Sequence, residues 1–327
     1  MKKQNQTIQA AGFIAVFLAL NFSLGSLLEL PKNDLIEKGR FDPKLRWEEF
    51  YNLPLRSIDI LFLGSSHSYR SFNPRIFDEA SGKGPSFNMG SSAQTPMTAY
   101  FVLKEALKTQ KPRILIYEIF FQGFESDKQF VNATYNLEFM RSRDVRAEFF
   151  LNGYEPSDWV YFLVPPLRYR LNTTNAVRLL LGKEVPYNED FYAGAGYVEN
   201  PSVVDEETLH RSPMFEKYSF EPGNLQEKHL AYFEKIIRLA EENGIRVIFV
   251  SSPLPEISRS KIANYGEIHD YFQKIAVANK IPYIDYNLID AKERLFAVTD
   301  YKDADHLNKS GAEKISADLA RRLQPFL

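Results

Sequence analysis

The chain has no cysteine among its 327 residues. That single absence removes disulfide scaffolds, thiol nucleophiles, thiolate zinc sites and cysteine-ligated iron–sulfur clusters together. Histidine is scarce as well, with five in all (His67, His210, His229, His269 and His306), so imidazole chemistry has few places to reside. Tryptophan occurs twice. Neither sign of charge is in excess: 40 Lys and Arg face 42 Asp and Glu, for a formal net charge of -2. A protein that binds nucleic acid by neutralising phosphates carries a strong basic excess, so no nucleic-acid partner is expected. The chain is 44% hydrophobic and 25% charged, ordinary globular usage that excludes a disordered or fibrous polymer. Aromatic residues are plentiful at 14%, nearly all of them Tyr and Phe.

The longest uncharged run is at the start. Met1-Lys2-Lys3 gives a positive tip, and Ala10 to Leu28 has no charge over 19 residues. As a helix this run spans roughly 28 Å, close to the hydrocarbon thickness of a bilayer. The lysines should stay in the cytoplasm, which sends everything after Glu29 to the far side. Ser23-Leu24-Gly25 offers a cleavage-like exit, so a signal peptide competes with an uncleaved anchor; either way the body is exported. The expected organisation is a cytoplasmic tip and membrane segment over 1–29, a proline-punctuated stalk over 30–55, and one domain over 56–327.

Within the body, short apolar runs alternate with helical patterns. Ile58–Leu63, Arg113–Phe120, Ile245–Val250 and Pro282–Asp285 read as buried strands. Thr98–Thr109, Leu225–Asn243, Tyr265–Asn279 and Lys309–Leu323 read as helices, the second closed by Gly244. This alternation predicts an α/β fold, a three-layer sandwich with a central parallel sheet. The pattern fails over about 123–220, which reads as an insertion: a lid, a binding surface or a docking surface. Gly194-Ala-Gly196 inside it lacks the strand-before, helix-after context of a dinucleotide loop.

Two segments carry chemistry. Gly64-Ser65-Ser66-His67 follows the first strand, where ligands bind in open α/β sheets. Asp303-Ala-Asp305-His306 precedes the last helix. A serine hydroxyl needs an imidazole to accept its proton, and the imidazole needs a carboxylate to fix its tautomer. An Asp three residues before a His lets both share one loop, with Asp305 the rival of Asp303. The bland readings are a Gly-Ser-Ser helix cap and an Asp303 that caps the last helix. His67 is expected to shape the site entrance or face solvent, and His210, His229 and His269 to play surface roles. Asp303, Asp305 and His306 form the only metal-like cluster, and no metal or other cofactor is expected.

With its Gly64-Ser65-Ser66 block, its Asn88-Met89-Gly90 and its Asp303-x-x-His306 in that order, the body resembles the SGNH/GDSL-type hydrolase family over about Ile58 to Leu323, minus the insertion. The resemblance implies Ser66 as nucleophile, His306 as base and Asp303 as its orienter. It also implies Ser66 and Gly90 N–H groups as oxyanion donors, with Asn88 and His67 near the substrate entrance. The family's third block supplies an Asn after the next strand. Here Tyr117-Glu118-Ile-Phe-Phe-Gln122-Gly123 has none, leaving Gln122 as the stand-in. An N-terminal anchor with this nucleophile block and a D-H-L-N-x-x-G-A ending is similar to accessory proteins of cell-surface polysaccharide acylation, of the alginate O-acetylation and teichoic-acid D-alanylation type. That similarity implies a membrane-bound O-acyltransferase as partner and a cell-envelope polysaccharide as acceptor. The alternatives are a stand-alone carbohydrate or lipid esterase, and an idle scaffold that binds glycan or a partner.

Overall fold

The computed structural model describes residues 2–125 and 130–327; Met1 of the positive tip and residues 126–129 of the insertion lie outside them. In chain order the first half holds α1 (Lys2–Glu37), α2 (Pro43–Asn52), β1 (Ile60–Leu63), α3 (Ser66–Ser71), α4 (Pro74–Ser81), β2 (Ser86–Asn88), α5 (Pro96–Ala106) and β3 (Ile114–Glu118). The insertion contributes α6 (Gln122–Glu125), α7 (Phe130–Phe139), α8 (Arg143–Gly153), α9 (Val160–Leu163), α10 (Pro165–Arg168), α11 (Thr173–Leu180), the hairpin β4 (Phe191–Gly194) and β5 (Tyr197–Glu199), and α12 (Glu206–Arg211). The chain closes with α13 (Glu227–Glu242), β6 (Arg246–Ser251), α14 (Glu256–Arg259), α15 (Tyr265–Ala278), β7 (Tyr283–Asp285), α16 (Tyr286–Glu293) and α17 (Lys309–Leu323). These elements form two units, Met1–Asp42 with Tyr154–Asn188, and Pro43–Gly153 with Glu189–Leu327.

The larger unit is the α/β body. Its five strands run parallel in the order β2-β1-β3-β6-β7. Alternate residues of the central strands β1, β3 and β6 serve opposite faces, and both sets are mainly apolar. On one face Ile60, Phe62, Ile114, Ile116, Ile248 and Val250 join Phe72 after α3, Phe77 of α4 and Ile315 and Leu319 of α17 in one core. On the other, Tyr117 and Phe249 lie against Phe233 of α13 with ring centroids 5.2 and 5.0 Å apart, and α13 packs on α5. The result is the three-layer α/β/α arrangement that the alternation predicts. The strand order reverses between β1 and β3, and their carboxyl ends are the place where a site is expected in such a sheet.

The segment read as a stalk is helical over most of its length. α1 continues through Pro31 to Glu37, and α2 opens on Pro43 as part of the body, burying Trp47 and Phe50. Proline removes one helical donor and charges break an apolar pattern, yet neither prevents a helix that tertiary contacts support. The described residues of the insertion form helices and a hairpin. Its Gly194-Ala195-Gly196 is the turn of the antiparallel hairpin β4–β5. A Cβ on Gly196 would lie 1.8 Å from the Asn88 carbonyl oxygen, so that close approach admits only glycine.

The smaller unit is α1 with α9, α10 and α11, which pack along it. α1 is long and apolar enough to cross a membrane, and Phe13, Val16, Phe17, Leu20 and Phe22 are exposed along it.

Candidate active site

β1 delivers its chain to Gly64, whose φ of 140° and position leave no room for a side chain: a Cβ there would meet that of Glu118 at 2.6 Å. The turn places Ser65 as the cap of α3, its hydroxyl accepting the His67 N–H at 3.1 Å. Ser66 is the first residue of that helix, where N–H groups have no intrahelical partner.

The facing loop is built by its own backbone. Tyr301 bridges Leu307, and the Lys302 N–H donates to the His306 carbonyl at 3.0 Å. Asp303 Oδ1 accepts the N–H groups of Asp305 and His306 at 3.1 and 2.8 Å, which fixes the imidazole relative to the carboxylate. The cap of α17 is Asn308, whose side chain accepts the Gly311 N–H, so Asp303 is free of the capping role.

These two loops meet. His306 Nε2 lies 2.7 Å from Ser66 Oγ. Its Nδ1 lies 3.0 Å from Asp303 Oδ1 and 2.9 Å from Asp305 Oδ1. Burial works against a charged His306, but its hydrogen bonds to the Asp303 and Asp305 carboxyl groups outweigh it and raise the imidazole above its usual range. For Asp303, burial pushes upward, and the bonds to His306 and Lys302 overcome it, holding this carboxyl far below the ordinary range. The arrangement is a hydroxyl on one imidazole nitrogen and two carboxyl groups on the other, placed to stabilise imidazolium.

Several residues sit elsewhere than their sequence suggests. His67 neither faces solvent nor lines an entrance: it is 2% exposed, with its ring 4.1 Å from Phe120 and 4.6 Å from His306. Burial and the neighbouring His306 press it down to about 3, so it remains neutral. Asn88 is fully buried; its amide donates to the Ser68 and Phe72 carbonyls at 2.9 and 3.1 Å, a bracing role rather than an entrance one. The Gly90 N–H is already given to Asn88 Oδ1 at 2.9 Å, and its carbonyl accepts from Arg46. As placed, that N–H is not free for an oxyanion. Gln122 opens α6, half-buried. His229 is buried, and His269 pairs with the buried Asp285 at 3.0 Å, so neither is a plain surface residue. His67, Asp305 and His306 bring ligand atoms within 4.8 Å of one another, but His306 is committed on both nitrogens to Ser66 and the carboxylates.

Two site residues escape the sequence reading. Glu118, at the end of β3, is 2% exposed and accepts both the N–H and the hydroxyl of Ser65, at 2.7 and 2.8 Å. Burial pushes it up to about 7, with the Ser65 bonds and His306 pulling the other way. A carboxylate closing an otherwise apolar strand was its visible signal. Gln94 accepts the Gly64 N–H at 3.1 Å and donates to the Met89 carbonyl and Ser91 Oγ, tying the nucleophile turn to the loop after β2; nothing in its sequence context marks it.

Because the Glu118 carboxyl titrates higher folded than its ordinary 4.5, the stability it supports is complete below 4.5 and declines as pH rises through about 7. Glu118→Gln keeps an acceptor for Ser65 and should flatten that decline in a series of melting temperatures across pH. Glu118→Ala should lower the melting temperature at every pH; an unchanged pH dependence in Glu118→Gln would refute this role.

Beside the loop lies an open cleft of about 550 Å³, lined by Val204, Leu209, Met214 and Phe215 of the insertion and by Asp303 and Asp305.

A family model matches residues 209–327, which include β6, β7 and the Asp303–His306 loop. No curated protein matches the chain. Among solved structures the chain is similar to a GDSL-like lipase from Bacteroides thetaiotaomicron VPI-5482, at 13% identity and a TM-score of 0.42, covering 88% of this chain and 98% of that one. It is also similar to a proposed acylhydrolase from Bacteroides fragilis NCTC 9343, at 12% identity and a TM-score of 0.40, covering 85% of this chain and 94% of that one.

Proposed function

We propose that the chain is a membrane-tethered serine esterase or acyltransferase whose body works outside the cytoplasm. The observation that carries this reading is the 2.7 Å contact between Ser66 Oγ and His306 Nε2, with carboxylates on the other imidazole nitrogen. His306 takes the Ser66 proton as Oγ attacks an acyl carbonyl. The tetrahedral intermediate collapses when His306 passes that proton to the departing group, leaving acyl-Ser66. A second hydroxyl, or water, then repeats the steps in reverse and frees the serine.

The Ser66 N–H at the start of α3 is one oxyanion donor. Gly90 joins it only if its N–H leaves Asn88, and loss of one such donor costs about 2.7–4 kcal/mol of transition-state stabilisation. A slow hydrolase that gains rate when an acceptor is positioned better than water suits this site. We therefore read the chemistry as acyl transfer, most simply acetyl, to a hydroxyl of a cell-envelope polysaccharide, with a membrane-bound O-acyltransferase supplying the acyl group. The cleft beside Asp303 and Asp305 is the place for the acceptor.

The test is a fluorophosphonate probe on the full chain in detergent. Labelling that vanishes in Ser66→Ala supports the reading; a folded protein that never labels is an idle scaffold.

A further inference from the structure

The segment from Trp159 to Lys183 contains four basic residues (Arg168, Arg170, Arg178, Lys183) and no acidic one. It also holds Leu163, Leu167, Leu171, Val177, Leu180 and Leu181 exposed, four of them by more than half. A soluble surface rarely gathers so much aliphatic area in so short a stretch. Its neighbour explains it. Asn21 of α1 donates to the Leu163 carbonyl at 3.4 Å, Gly25 lies against Pro165, and Asn172 donates to the Leu28 carbonyl at 3.1 Å. Tyr187 then reaches the Pro31 carbonyl and Asp34 at 2.9 and 2.8 Å. From Leu163 at the level of Asn21 the segment thus climbs along α1 to Tyr187 at the level of Asp34.

Asn21 is eight residues inside Glu29, the first charge after the uncharged run, which is about 12 Å along a helix. With α1 spanning a bilayer, Leu163 lies within the hydrocarbon and α11 nearer the headgroups. The backbone is fit for that depth. The N–H groups of Val164 and Tyr169 return to Val160 and Pro165 at 2.9 and 3.0 Å, and Pro165 and Pro166 have no N–H to satisfy. The Arg170 guanidinium lies over the Tyr161 ring at 4.9 Å and donates to the Leu167 carbonyl at 2.7 Å, so this charge has partners within the segment. Basic residues interleaved with leucines are the pattern of an element lying in an anionic leaflet.

We propose that residues 159–181 are a second membrane contact, inserted in the outer leaflet beside α1. The proposal rests on the reading of α1 as an anchor and extends it. It gives the chain a wedge rather than a single tether. If the anchor is cut, this contact keeps residues 159–181 at the lipid surface.

The cysteine-free chain makes the test clean. Single variants Leu163→Cys, Leu167→Cys and Leu171→Cys of the full chain, with Phe17→Cys as the anchor control and Glu242→Cys, exposed on α13 of the body, as the solvent control, are labelled with an environment-sensitive fluorophore. They are reconstituted in vesicles of phosphatidylcholine and phosphatidylglycerol. The expected result is blue-shifted emission lost to nitroxide-bearing lipid and insensitive to iodide at positions 163, 167 and 171, as at 17. In Gly25→Leu, which wedges Pro165 off α1, lipid quenching should fall at position 163 and persist at 17. Iodide quenching at 163, 167 and 171 with lipid quenching at 17 overturns this inference and leaves the anchor standing. Protection from both quenchers means that protein, such as a second copy, covers the segment, and also overturns it. Iodide quenching at 17 overturns the anchor reading itself.

Discussion

Ser66→Ala and His306→Ala should each lower the turnover of an activated acetyl ester by roughly 10³–10⁶-fold, and the double variant should be no worse than either. The reason is geometric. The 2.7 Å contact makes hydroxyl and imidazole one device, so removing either half removes the whole. What remains is binding and the donor at the head of α3. Because Ser66 opens a helix and its hydroxyl contacts His306 rather than the core, Ser66→Ala should leave the melting temperature nearly unchanged. An additive double variant, or a single variant with full activity, would refute the pairing.

The second large effect separates the two carboxylates at His306 Nδ1. Asp303 accepts the imidazole and two backbone N–H groups, so it orients the ring and builds the loop. Asp305 splits its attention, with Oδ1 2.9 Å from His306 and Oδ2 3.6 Å from His67. Asp303→Asn should therefore cost about 10⁴-fold in turnover, by analogy with a triad whose tautomer is lost, and Asp305→Asn clearly less. The pH profile supplies the check. Only neutral His306 accepts the serine proton, and its carboxylates raise it above its usual 6.5. Activity should rise with pH through a limb above 6.5. Removing either carboxylate charge should move that limb to lower pH, since it removes part of what favours the protonated form. Equal losses in the two variants, or a limb that does not move, would contradict the assignment.

Much of this site is legible in the residues themselves. β1, β3, β6 and β7 read as apolar runs because a parallel sheet covered on both faces needs nothing else. Ser66 and the Asp303–His306 loop stand out because their elements end at the same sheet edge. β2 is invisible: Ser86–Asn88 is three residues, two of them polar, too short for any periodicity. The insertion conceals short helices: α9, α10 and α11 pack along α1 with leucines left exposed, while α8 and α12 each bury only one or two apolar residues against the body, too few to show a helical period. Polar burial is the other blind spot. His67, Asn88 and Glu118 look like surface residues by type, and each is buried because a specific partner compensates it. The spent Gly90 N–H belongs to the same class, since no motif records what a side chain two residues earlier accepts.

The most direct measurement is to mix the full chain with an activated acetyl ester on the alkaline side of the His306 limb, quench in acid, and map the acetyl group by peptide mass spectrometry. The expected result is a stoichiometric burst with the acetyl on Ser66, abolished in His306→Ala. An acetyl on another residue, or no burst from folded protein, would contradict it.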